Sequence, residues 1–117
     1  IYCIPCDANR VLRIDPKDNV VTLIGPDLGH EAGKWAVATV GADGRIYAFP
    51  WHASRLLCID PGAQTATLIG CDLNMYGGFL HPAVLAKDGA IYQQGLCIST
   101  YLMKKCDGMR RSGNLGA

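Results

Sequence analysis

Cys3 and Cys6 form a Cys-x-x-Cys pair near the start of a 117-residue chain, the spacing of a zinc knuckle or a redox dithiol. A structural zinc site takes four soft ligands in tetrahedral geometry, from two such pairs or from one pair and two histidines. Cys58, Cys71, Cys97 and Cys106 form no second pair, which leaves His30 and His52 as the candidate extra ligands. His52 and His81 are also the candidate acid–base groups, but no carboxylate accompanies His81 within "GGFLHPAVL". Arg10 with Asp15 and Arg55 with Asp60 look like ion-paired catalytic sets. The chain contains no Gly-x-Ser-x-Gly and no His-Glu-x-x-His, and the glycines of "MYGGFL" lack the Lys-Ser/Thr of a phosphate loop.

Self-similarity changes the weight of these candidates. "IYCIPCDANRVLRIDP" from Ile1 returns as "IYAFPWHASRLLCIDP" from Ile46, and a third "IY" follows at Ile91, a period of 45 residues. Between the first two units 19 of 45 positions are identical without a gap. The domain reading is a repeat region over 1–103, with units 1–45 and 46–90 and a degenerate third over 91–103, followed by a tail over 104–117. Ala48 and Trp51 occupy the places of Cys3 and Cys6 in the second unit, so the unit does not require thiols there. Cysteines acting as small apolar residues at a strand end are the favoured reading, with no metal and no other cofactor expected. The Arg and Asp pairs recur in both units, and one active site does not need the same pair twice. They are expected to brace corners, and Asp43 and Asp88 to form turns.

Each unit reads as short strands. "RVLRIDP" and "RLLCIDP" end at Asp-Pro, where proline removes a ladder donor. "VVTLIG" and "TATLIG" follow, stopped by Gly25 and Gly70. Asp43-Gly44 and Asp88-Gly89 separate two apolar runs, and their positive φ angles suit a tight hairpin. No helical periodicity persists beyond a few residues. Consecutive apolar positions in "VVTLIG" and "LLCI" predict burial on both faces. The inner-to-outer strand order is expected to be "WAVATV", "RIYAFP", "RLLCID", "ATLIG", a complete unit from about Lys34 to Leu73.

About four short strands per repeat of this length is the composition of a β-propeller blade. The phrase "DGRIYAFPWHASRLLCIDP" resembles blades of NHL and related six-bladed propellers. The longer "IYCIPCDANRVLRIDP...VTLIGPDLG...KW" is similar to a tandem propeller repeat of unicellular algae. The resemblance covers residues 1 to about 95. It implies an all-β partial propeller of antiparallel four-stranded blades, about two and a half of them, and it would suit an accessory subunit of an organellar or photosynthetic assembly. A propeller hydrolase of the lactonase class holds its metal with inner-strand carboxylates, and "WAVATV" and "PAVLA" contain none.

Composition narrows the function classes further. Half the residues are apolar and the formal charge is +1, which excludes a disordered chain and gives no electrostatic drive toward nucleic acid. Lys104, Lys105, Arg110 and Arg111 make the tail basic, but it lacks interleaved aromatics. No apolar run approaches the roughly 18–20 residues of a spanning helix, so a soluble chain without a transmembrane segment is expected. A repeat sheet cannot bury both faces alone. The expected partner is therefore a protein, or further copies completing the propeller, or a longer chain of which this is a part. Trp35, Trp51, Tyr76 and Phe79 differ between units and are the candidate partner anchors, although filling gaps between blades is the commoner use of such rings. The expected function is a non-catalytic interaction or scaffold module. The alternatives are a lactonase-type hydrolase fragment and a metal or redox module centred on Cys3 and Cys6.

Overall fold

A computed structural model describes residues 1–72 and 83–93. They form an all-β, antiparallel arrangement without a helix among the described residues. The strands are β1 (Tyr2–Cys3), β2 (Val11–Asp15), β3 (Val20–Ile24), β4 (Trp35–Val40), β5 (Ile46–Pro50), β6 (Leu56–Asp60), β7 (Thr65–Ile69), β8 (Ala83–Leu85) and β9 (Ile91–Gln93). Strands β1-β2-β3 make sheet I, β4-β5-β6-β7 sheet II and β8-β9 sheet III, each in sequence order. Sheet II therefore has the strand order expected from the sequence.

The period of the sequence is also the period of the hydrogen-bond register. The pairs Tyr2↔Arg13 and Cys3↔Leu12 recur as Tyr47↔Cys58 and Ala48↔Leu57. All five β2–β3 pairs, from Val11↔Ile24 to Asp15↔Val20, recur in β6–β7 from Leu56↔Ile69 to Asp60↔Thr65. Thr39↔Tyr47 and Val40↔Ile46 recur as Val84↔Tyr92 and Leu85↔Ile91.

Turn chemistry explains the recurrence. Asp15 Oδ1 accepts the Lys17 N–H at 3.1 Å, and Asp60 Oδ1 accepts the N–H of Gly62 at 3.0 Å, the Asx geometry that follows a strand with a turn. The β2–β3 and β6–β7 loops close through a left-handed residue, Asn19 at φ 55° and Gln64 at φ 57°. At the β4–β5 hairpin only Gly44 takes a positive φ, 79°, and Asp43 does not. Gly41 accepts from Gly44 N–H at 3.1 Å and donates to the Arg45 carbonyl at 2.8 Å. That is a three-residue loop with one left-handed position, not a turn with two.

Strand alternation sorts the side chains by face. In sheet I, Tyr2, Val11, Arg13, Thr22 and Ile24 share one face, and Cys3, Leu12, Ile14, Val21 and Leu23 the other. The first face meets sheet II, and the shared core contains Val11 and Ile24 from sheet I with Trp35, Ala48, Leu57, Ile59 and Ala66 from sheet II. Leu57 and Ile59 are 0% exposed, each such side chain contributing about 1.5–3 kcal/mol by leaving water. Gly25 closes the contact at the outer strands, where an added Cβ would lie 2.8 Å from Ala66 Cβ.

Burial on both faces holds for β6 but not for β3. Leu57, Cys58 and Ile59 are all buried, whereas Val20, Val21 and Leu23 are exposed. Val20 is on the inner face and is exposed because β3 is the edge strand of sheet I, whereas for Val21 and Leu23 the cause lies in what neighbours each sheet. Sheet II has sheet I on one side and sheet III on the other, with β8 against β4, while among the described residues no layer covers the outer face of sheet I.

Candidate interaction surface

Among the described residues, that outer face exposes several large apolar side chains. Adding 45 to each of its residue numbers converts Cys3, Leu12, Ile14, Val21 and Leu23 into Ala48, Leu57, Ile59, Ala66 and Leu68. Four of these five counterparts are buried in the core against sheet I. On sheet I the same places hold equally apolar side chains, yet Val21 is 57% and Leu23 53% exposed. Ile1, the counterpart of the partly buried Ile46, is exposed beside them. Sheet I thus carries a face with the chemistry of a buried layer and no described layer upon it.

The residues that looked chemical have structural work. Arg10 Nε donates to the Gly25 carbonyl at 3.0 Å and its Nη2 to the Leu23 carbonyl at 3.4 Å. Arg55 makes the same bonds to Gly70 at 3.0 Å and Leu68 at 3.3 Å. Each guanidinium ties the entry of one strand to the exit of the next, which is the corner bracing that recurrence predicts. Asp60 also lies 3.5 Å from the Arg45 guanidinium, and Asp15 lies 3.4 Å from that of Arg13.

Asp43 and Asp88 hold their hairpins through matching bonds. Asp43 accepts from the Tyr47 hydroxyl at 2.6 Å and the Arg45 N–H at 3.0 Å. Asp88 accepts from the Tyr92 hydroxyl at 3.1 Å and the Ala90 N–H at 2.9 Å. The Tyr47 hydrogen bond, helped by the Arg45 N–H, holds the Asp43 carboxyl below the usual carboxylate range. The same bond is the main reason the Tyr47 phenol is pushed up to about 12, and Asp88 raises Tyr92 likewise.

A pH dependence follows from the Tyr47 shift. The folded chain holds that phenolic proton more tightly than the unfolded chain, whose tyrosines titrate near pH 10. The contribution of the pair is therefore complete below about pH 10 and is lost as pH rises toward about 12. Urea midpoints between pH 8 and pH 12 should fall less steeply for Tyr47→Phe than for the unaltered chain, and parallel slopes would show that the bond does not couple to folding.

Cys3 and Cys6 are free and partly exposed. Cys3 lies on the outer face of sheet I, and the Cys6 carbonyl accepts the Lys34 N–H at 2.8 Å. Among the described residues no three His, Cys, Asp or Glu side chains cluster closely enough to hold a metal ion. His30 sits 4.0 Å from Asp27 on the surface. His52 stacks on Trp51 with ring centroids 4.9 Å apart, and its backbone N–H donates to the Gly33 carbonyl at 2.9 Å. Cys58 is buried, which pushes its thiol up and makes it a poor nucleophile.

Of the four aromatic anchors, Trp51 is exposed at a corner, and Trp35 is not free to meet a partner. Trp35 is 2% exposed, packs in the core between sheets I and II and donates its indole N–H to the Arg55 carbonyl at 2.9 Å. It fills the gap between layers, the commoner use of such a ring. Tyr76, Phe79 and His81 lie outside the described residues. Lys34, beside Trp35, is buried with its ammonium donating to the carbonyls of Glu31 at 2.8 Å and Asp7 at 3.3 Å. A cleft of about 390 Å³ passes Glu31, Lys34, Trp35, His52 and Arg55, but its cationic groups are already directed to backbone carbonyls.

No helix among the described residues is long and apolar enough to cross a membrane. Comparison with protein-family models, curated proteins and solved structures finds no match to this chain.

Proposed function

We propose that this chain is a non-catalytic β-propeller-type interaction module, with sheets I, II and III as successive blades, and that it serves as an accessory or scaffolding piece of a larger assembly. The observation that carries this reading is the outer face of sheet I, where Val21, 57% exposed, occupies the place that the buried Ala66 takes in sheet II, with exposed Ile1 and Leu23 beside it. Large apolar side chains exposed together on one sheet face suit a contact site. The short strands and hairpin loops recurring every 45 residues fit the blade composition. The Arg and Asp residues that resemble catalytic groups are occupied by backbone and hairpin bonds, and β4 and β8 carry no carboxylate for a lactonase-type metal. Native electrophoresis of gentle extracts from cells that make the protein should find the chain in a species heavier than itself. Recovery solely as a free monomer overturns the reading.

A further inference from the structure

Resting on that reading, we infer that the outer face of sheet I receives a second copy of this chain, docked head to tail through the Val84 and Tyr92 face of sheet III. The packing of sheet I on sheet II supplies the rule. There, the face of sheet I bearing Tyr2 and Val11 covers the face of sheet II bearing Ala48, Leu57 and Ile59. The two faces are different, so the contact is heterologous and can be repeated by adding units on either side.

Among the described residues, one example of each face is left exposed. The receiving face is open on sheet I at Ile1, Val21 and Leu23. The covering face is open on sheet III, where Val84 pairs with Tyr92 and the two are 64% and 53% exposed. Tyr92 is two periods after Tyr2, and Val84 is one period after Thr39, which pairs with Tyr47 on the covering face of sheet II. One copy therefore offers what another lacks, whereas two receiving faces placed together would find no tyrosine between them.

The internal junction also specifies a polar contact for the docked one. The Tyr2 hydroxyl accepts from Gln64 Nε2 at 2.9 Å across the sheet I–sheet II boundary. Shifting both residues by the period places Tyr92 of one copy opposite Asn19 of the next, since Asn19 stands one period before Gln64. Asn19 has the same left-handed backbone as Gln64, φ 55° against 57°, so its carboxamide projects from an equivalent turn and can donate to a tyrosine hydroxyl.

Sedimentation equilibrium of the purified chain tests the inference. The unaltered chain should appear as a multiple of its 12.6 kDa monomer. A receiving-face variant, Val21→Glu with Leu23→Glu, and a covering-face variant, Val84→Lys with Tyr92→Lys, should each sediment as the monomer. These four positions are exposed, and unchanged circular dichroism shows that the variants fold. Mixing the two variants should restore the heavier species, because each retains the face the other has lost and the altered faces carry opposite charge. A monomeric unaltered chain, an assembly indifferent to the Val84 and Tyr92 changes, or a mixture that stays monomeric overturns the docking. Any of these found while extracts still hold the chain in a heavier species leaves the interaction-module reading standing. A chain that travels alone in extracts overturns that reading.

Discussion

Leu57→Ala is expected to lower the free energy of unfolding by about 2–5 kcal/mol, and Leu12→Ala, at the identical place one unit earlier, by only roughly 1 kcal/mol. Leu57 is fully enclosed by the core shared between sheets I and II. Truncating it removes buried methyl groups and leaves a cavity that the flanking β5 and β7 strands cannot close without moving their own ladders. Leu12 pairs with Cys3 and Leu23 in the same register, but is only partly buried on the uncovered face, so truncation there removes less burial and creates no enclosed void. Urea unfolding of both variants at a dilution where the chain is monomeric makes the comparison. Equal losses would mean that the outer face of sheet I is as covered as the inner one. A Leu12→Ala loss that grows with protein concentration is the signature of a second copy binding there.

Gly25→Ala should cost about 2–4 kcal/mol, against roughly 1 kcal/mol for Gly70→Ala. Both glycines end an outer strand at positive φ, 74° and 80°, where a side chain strains the backbone. They differ in what a new Cβ would meet. At Gly70 nothing lies within 4 Å, whereas at Gly25 the Ala66 Cβ and backbone N lie at 2.8 and 3.4 Å. Since Ala66 is held in the β6–β7 ladder, relief requires the two sheets to separate at their outer edge, loosening the core around Leu57 and Ile59. Thermal midpoints of the two variants read the difference directly. Indistinguishable midpoints would show that the sheets are not in contact at this edge.

Much of the strand plan is legible in the residues because the punctuation is chemical. Asp-Pro ends β2 and β6, Gly25 and Gly70 end β3 and β7, and the 45-residue period alone marks Arg10 and Arg55 as recurring braces. What stands on each sheet is not legible. Leu12 and Leu57 are the same letter in the same local phrase, and only the presence or absence of a neighbouring layer separates them. "VVTLIG" and "LLCI" likewise both read as buried on two faces, but only "LLCI" is, because sheet II lies between two other sheets and β3 is an edge strand with its outer side toward water. Trp35 shows the same limit, since its position at the start of β4 suits either a contact site or a core, and the bulge between Trp35 and Val37 accompanies its placement between sheets. The burial of Lys34 had no signal, because its ammonium is satisfied by carbonyls from two loops that approach only in the folded chain. That Ala48 and Trp51 stand in the places of Cys3 and Cys6 is legible from the period alone.

The contact between Gly25 and Ala66 carries one more consequence. Where sheet II offers Ala66, the open face of sheet I offers Val21, two methyl groups larger. A layer arriving there cannot approach the rim as closely as sheet I approaches sheet II, so the wedge between layers opens by a different amount at that junction. The curvature of any array made from this unit is therefore not a constant of the fold but is adjusted junction by junction by a single side chain. Exchanging Val21 and Ala66 would place the larger side chain against Gly25 and widen the wedge between sheets I and II, while relieving it on the open face.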